Sequence, residues 1–151
     1  MMSKIKQIVV EENNMNNKGY FYDEEGYLSL WLCKANSEQL LQDYVNIDYA
    51  KVENDEIPFQ LGCDFNISWY DEDFIETAFE DNMVGWDLLK GHSYIDSIIP
   101  VLKKDYQELM EKKYNSTIIF YDMNYDGKVM ETNNKNYGYF RFIGSFKYYI
   151  E

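Results

Sequence analysis

Between Tyr27 and Cys33 the chain runs YLSLWLC, with Leu28, Leu30 and Leu32 on one side of a period-two pattern and Tyr27, Trp31 and Cys33 on the other. Both sides are largely apolar, so the segment predicts a central strand covered on each face. Thr117 to Tyr121 (TIIFY) predicts a second buried strand. The closing run places Phe140, Phe142, Phe146 and Tyr148 on one face and Arg141, Ser145 and Lys147 on the other, the pattern of an antiparallel strand with one solvated face. Ile5 to Val10 reads as an added edge strand ahead of the polar EENNMNNKG stretch.

Helical spacing appears elsewhere. Ser37 is placed to cap a helix through Glu38, Leu40, Leu41 and Tyr44. Asn46 to Pro58 is acidic and weakly periodic, and Met83 to Lys90 fits strand or helix equally. Ser93 is placed to cap the longest amphipathic stretch, in which Ile95, Ile98, Leu102, Tyr106, Leu109 and Met110 recur at helical intervals. Pro100 inside it removes a backbone donor and predicts a bend or a break into two helices. These elements predict an α+β fold, a single antiparallel or mixed sheet packed against a layer of about three helices. Residues 27–151 form one domain and residues 1–26 an N-terminal extension.

The stretch from Asp64 to Asp81, DFNISWYDEDFIETAFED, holds seven acidic residues and no Lys or Arg. Asp71, Glu72 and Asp73 resemble a helix start, where carboxylates meet free N–H groups and the positive end of the helix dipole. Phe74 with Ala78, and Ile75 with Phe79, stand four apart and predict a short helix whose apolar stripe turns inward and whose Asp73, Glu76, Glu80 and Asp81 turn outward. Such outward acids serve either as a solvated face or as a contact surface.

Composition narrows the choice. A chain of 151 residues with 46% apolar and 18% aromatic residues, 15 of them Tyr, is one folded, aromatic-heavy domain. The net charge is −13, and residues 1 to 92 hold 19 Asp or Glu against 6 Lys or Arg, while the remainder is balanced at 8 against 8. That field repels phosphate backbones and anionic membranes and attracts a basic protein. No apolar run has the length of a membrane span and the N-terminus lacks a secretory core, so the expected location is the cytoplasm. Cys33 and Cys63 lie among apolar neighbours and read as small buried thiols.

Catalytic constellations are sparse. His92 is the one histidine, so no His-pair metal site exists, although Asp64 or Asp71 is available to it as an acid–base partner. Asp122, Asn124, Asp126 and Gly127 reproduce the first half of a calcium loop, but position twelve is Asn133 where a bidentate Glu is required, and a β-turn explains the same letters. There is no G-x-S-x-G, no basic neighbour beside either cysteine and no glycine-rich phosphate loop. No metal or cofactor is expected. The competing reading is a small acidic metal-binding hydrolase using Asp64, Asp71, Asp73 and His92.

Four segments in order, LSLWLCKANSEQLLQDYV (28–45), CDFNISWYDEDFIETAF (63–79), LLKGHSY (88–94) and FRFIGSFKY (140–148), resemble the bacterial immunity proteins of the Imm22 type, also called DUF4284. Trp31, Asp64, Tyr70, Asp71 and Asp73 match that family's tryptophan and aspartate pattern, and Asn66 stands where the pattern has glycine. The resemblance implies a small cytoplasmic protein that binds and neutralises a cognate polymorphic toxin. In that setting Trp69, Tyr70 and Trp86 are the expected anchors, and Asp71, Glu72, Asp73, Glu76 and Glu80 the expected source of the field.

Overall fold

A computed structural model of the protein describes residues 19–150. Its centre is a five-stranded sheet in the order β2-β3-β1-β5-β4, made of β1 (Asp23–Ala35), β2 (Ile75–Val84), β3 (Lys113–Met123), β4 (Glu131–Asn134) and β5 (Gly138–Lys147). Every pairing is antiparallel. The YLSLWLC segment lies in β1, the middle strand, and TIIFY lies in β3 beside it. The run proposed at Ile5 to Val10 falls outside the described residues.

Because the two faces of β1 are both apolar, the sheet is covered on both. Trp31 and Cys33 enter one core together with Leu41, Tyr44, Phe65, Ile118, Phe120, Phe140 and Phe142. This side is closed by α1 (Glu38–Val45) and α3 (Gln60–Phe65), with the exposed α2 (Tyr49–Glu53) between them. Leu28, Leu30 and Leu32 enter the other core, which is closed by α4 (Gly85–Leu89), a 3-10 turn at Ile95–Ser97, α5 (Ile99–Asp105) and α6 (Gln107–Met110). A fully buried leucine of this kind contributes roughly 2 kcal/mol.

The α+β architecture with a single sheet is therefore as the pattern predicts, with the helices divided between two faces. Ser37 caps α1 by accepting from the Leu40 amide at 3.0 Å. The long amphipathic stretch is broken as Pro100 requires: the proline sits in the first turn of α5, where its missing N–H is not needed. Ser93 does not cap it, since Tyr94, in a left-handed conformation (φ 60°), precedes the 3-10 turn, and the Ser93 side chain is used elsewhere.

Two expectations about which side chains share a face fail, one through the period of the segment and one through a register shift. The helix expected after Phe74 is the strand β2, preceded by one 3-10 turn at Glu72–Phe74. Its i, i+4 apolar pairs also fit period two, which sends Ile75 and Phe79 to the first core. In β5 a register shift opposite Leu30 and Trp31 puts Phe140 and Phe142 in one core and Phe146 and Tyr148 in the other, so these four do not share a face.

Candidate functional site

The acidic stretch is positioned by a sequence of short local devices. Helix α3 ends on Asn66 in the left-handed conformation (φ 66°, ψ 43°), which glycine or asparagine adopts at least cost. Ile67 then bridges to Tyr20, and the Ser68 amide donates to the Tyr20 carbonyl at 3.0 Å. Trp69 packs half-buried against the core. Tyr70 is 4% exposed and its hydroxyl donates to the Val45 carbonyl, fastening the turn to α1. Asp71 accepts from the Asp73 amide at 3.0 Å and its carbonyl from the Phe74 amide at 2.9 Å, closing the 3-10 turn.

Trp69 and Tyr70 thus point down while Asp71, Glu72, Asp73 and Phe74 are exposed. Tyr49 of α2 joins them. Its ring stands 6.3 Å from Trp69 at 70°, and its hydroxyl donates to the Glu72 carboxylate, which raises the Tyr49 pKa. Tyr49 is 55% exposed and Phe74 45%, large apolar surfaces for side chains with charged neighbours.

Between this turn and the sheet lies a cleft of about 550 Å³. It opens because β2 pairs with β3 only as far as Ile75 opposite Phe120, so the last residues of β3, Tyr121 to Met123, have no β2 partner. Among the described residues the lining includes Asp23, Asp71, Glu72, Asp73 and Asp122 and no Lys, Arg or His. Tyr49, Trp69 and Phe74 supply its aromatic wall.

Glu76 belongs to a different structure. Period two along β2 turns it to the second face, where its Oε1 accepts from His92 Nδ1 at 3.0 Å, the Ser93 amide at 3.0 Å and the Tyr121 hydroxyl at 2.9 Å, and its Oε2 accepts from Ser93 Oγ at 2.7 Å. Burial pushes the Glu76 carboxyl up, but the Ser93 hydroxyl and amide, His92 and Tyr121 outweigh it and hold the pKa at about 2. A carboxylate only accepts, so His92 Nδ1 carries the proton.

His92 Nε2 lies 2.6 Å from Thr117 Oγ1. Carboxylate, imidazole and hydroxyl therefore stand in the order of a hydrolytic triad, yet Thr117 is fully buried in β3 and offers no approach to a substrate. The network fastens the 92–93 loop to the sheet. Because the folded pKa lies below the ordinary 4.5, its stabilisation is present above about pH 5 and is lost as pH falls towards 2. Glu76→Gln is expected to cost about 1–2 kcal/mol at pH 7, after allowance for partial exposure, with the gap to the parent protein closing below pH 4 in urea titrations.

The other sequence candidates are dispersed. Trp31 is fully buried, surrounded by Phe65, Phe120, Tyr125 and Phe142 with ring centroids 4.8 to 5.6 Å away. Asp64 accepts from the Tyr44 hydroxyl at 2.7 Å, Asn134 Nδ2 at 3.0 Å and Gln60 Nε2 at 3.1 Å, tying three elements together on the first face. It cannot partner His92, which is held on the opposite face. Trp86 packs against the second core, away from Trp69, and lines a separate cleft of about 610 Å³ with Lys90, Tyr94 and Lys103. Glu80 is exposed farther along β2.

The calcium-like letters are a turn. Asp122 accepts from the Gly26 amide and the Tyr148 hydroxyl, Asp126 from the Lys128 amide, and Asn124 donates to Glu24, so the three side chains do not converge. Among the described residues no group of three or more His, Cys, Asp or Glu is arranged to hold a metal. Cys33 is buried, but Cys63 is exposed, on the outer side of α3, contrary to its apolar neighbours in sequence. Tyr49 was not foreseen, because it sits in the weakly periodic segment after α1; the Asp48 cap, which accepts from the Ala50 amide, is the local signal for its helix.

The fold defines a single-sheet α+β protein with a helical layer on each face and an acidic cleft at one end of the sheet. Residues 28–149 match the family model described as Immunity protein 22 (DUF4284), and the chain belongs to that family. Membership supports a toxin-immunity role in general terms. Neither a curated protein nor a solved structure matches the chain. Among the described residues no helix is long and apolar enough to cross a membrane.

Proposed function

We propose that this protein neutralises a cognate polymorphic toxin in the cytoplasm as a non-catalytic inhibitor, meeting a basic surface of the toxin with the acidic, aromatic rim formed by Trp69 to Phe74 and Tyr49. The observation that carries this reading is the cleft, which among the described residues is lined by acidic and aromatic side chains without Lys, Arg or His, with Asp71, Glu72 and Asp73 exposed beside the Tyr49 and Phe74 rings. An enzyme that acts on nucleic acid presents Lys and Arg to its substrate, and carboxylates set opposite them accelerate encounter and exclude other partners. Exposed aromatic side chains supply the anchoring area that charges alone do not. Of the residues expected to make contact, Trp69, Asp71, Glu72 and Asp73 gather at this rim; Tyr70 supports it from below; Glu80 adds to the field from β2.

The test is reversal of Glu72, Asp73 and Glu80 together to lysine, with affinity measured for the toxin encoded beside this gene. Glu76 is left intact because it holds the fold. The expected result is about 100-fold weaker binding at physiological salt, mostly through slower association, with a shallower salt dependence. Unchanged affinity and an unchanged salt slope would reject the surface.

A further inference from the structure

The geometry points to a specific occupant for the cleft: one arginine side chain of the toxin, its guanidinium laid against the Tyr49 and Phe74 rings and bonded to the carboxylates of Asp71, Glu72 and Asp73. This inference rests on the toxin-binding reading and adds to it the chemistry of a single anchor.

Two of the three carboxylates, those of Asp71 and Glu72, are already oriented, and all three retain acceptor capacity. One oxygen of Glu72 is held by the Tyr49 hydroxyl and one oxygen of Asp71 by the Asp73 amide, while among the described residues the second oxygen of each, and both oxygens of Asp73, have no hydrogen-bond partner. Such a set accepts several parallel N–H bonds, which a guanidinium fork provides and a single ammonium does not. Tyr49 cannot swing away freely, because its hydroxyl is tied to Glu72 and its ring meets Trp69 edge to face. A ring held in place beside carboxylates is a ready surface for a planar cation, and arginine is less strongly hydrated than lysine when it leaves water for an aromatic-walled cleft. The volume, about 550 Å³, suits one long side chain with its flanking backbone and is small for a folded element. Among the described residues acidic side chains and no Lys, Arg or His line the cleft, a negative charge that a guanidinium reduces.

The first probe is the tripeptide acetyl-Gly-Arg-Gly-amide, titrated into the intact protein and followed by Trp69 fluorescence and by NMR of the Tyr49, Trp69 and Phe74 rings. Saturable shifts confined to these rings are expected in the millimolar range, at least about 5-fold weaker for the lysine peptide and absent for the citrulline peptide, which keeps the shape and loses the charge. Equal responses to arginine and citrulline, or shifts centred elsewhere, would overturn the proposal.

The second probe is the toxin itself, with Tyr49→Ala and Glu72→Gln combined, both at exposed positions whose loss leaves the core intact. The expected loss of affinity is about 30-fold or more, reproduced by changing one arginine of the toxin to lysine. If toxin binding survives this pair of changes but is lost on reversal of Glu72, Asp73 and Glu80, the arginine anchor is wrong and the acidic-surface reading stands. If it survives both, the two fall together.

Discussion

Trp31→Ala is expected to destabilise the protein by about 4–5 kcal/mol, which for a domain of this size lowers the melting temperature by roughly 10–20 °C. The indole is fully buried at the middle of the central strand and touches four other rings, from α3, β3, the 124–129 turn and β5. Removing it opens a void that none of these elements can fill without sliding on the others. The indole Nε1 has no hydrogen-bond partner among the described residues, so Trp31→Phe gives up ring area but no bond and is expected to cost less than half as much. Thermal melts of the two variants check this, and an alanine variant within about 1 kcal/mol of the parent would refute the central role of this ring.

The second large effect is expected at Gly62. A Cβ there would lie 2.2 Å from the Ile67 carbonyl oxygen, 2.7 Å from the Phe59 ring and 2.8 Å from an Ile57 methyl. The Ile67 carbonyl belongs to backbone that returns a hydrogen bond to Gly62 itself, its amide donating to the Gly62 carbonyl at 2.9 Å, and that bridges onward to Tyr20. It cannot yield separately. Gly62→Ala is expected to cost about 3 kcal/mol and to displace the 66–70 segment that leads into the acidic rim. Chemical denaturation reads the first effect, and a changed Trp69 emission reads the second. A variant that melts like the parent with unchanged emission would show that the close approach is dispensable.

Much of the scaffold was legible because it depends on nearest-neighbour patterns. The apolar alternation of Tyr27 to Cys33 specifies a strand covered on both sides, Ser37 specifies a helix start, and Pro100 specifies a break. What escaped depends on single residues that reset the phase. Asp122 in the left-handed conformation (φ 58°) and the extra residue near Ile143 each shift which face later side chains occupy, and neither shift leaves a mark on composition. In β2 the letters FIETAF satisfy spacings of four and of two at once, and only the partner strand β3 decides between them.

The functional stretch was legible in chemistry but not in arrangement. Its acids and rings were recognisable, and Asp71 does cap a turn. Strand geometry, however, separates Glu76 from Glu72 and Asp73 and commits it to His92, Ser93 and Tyr121, whereas a helix would have left all of them together. Tyr49 could reach the site only through tertiary contact, since it is 23 positions from Glu72. Trp31, Asp64 and Tyr70 likewise hold elements in place, while Asp71 and Asp73 reach the surface.

The position of β2 has one more effect. Among the described residues it is the outermost strand on its side of the sheet, ten residues long, and such a margin invites a second molecule to add its own strand. Glu80 and Asp81 along it, followed by the left-handed kink at Asn82, set like charges and a twist against that addition. In a protein this rich in aromatic side chains, those charges and that twist disfavour stacking into sheets with its own copies.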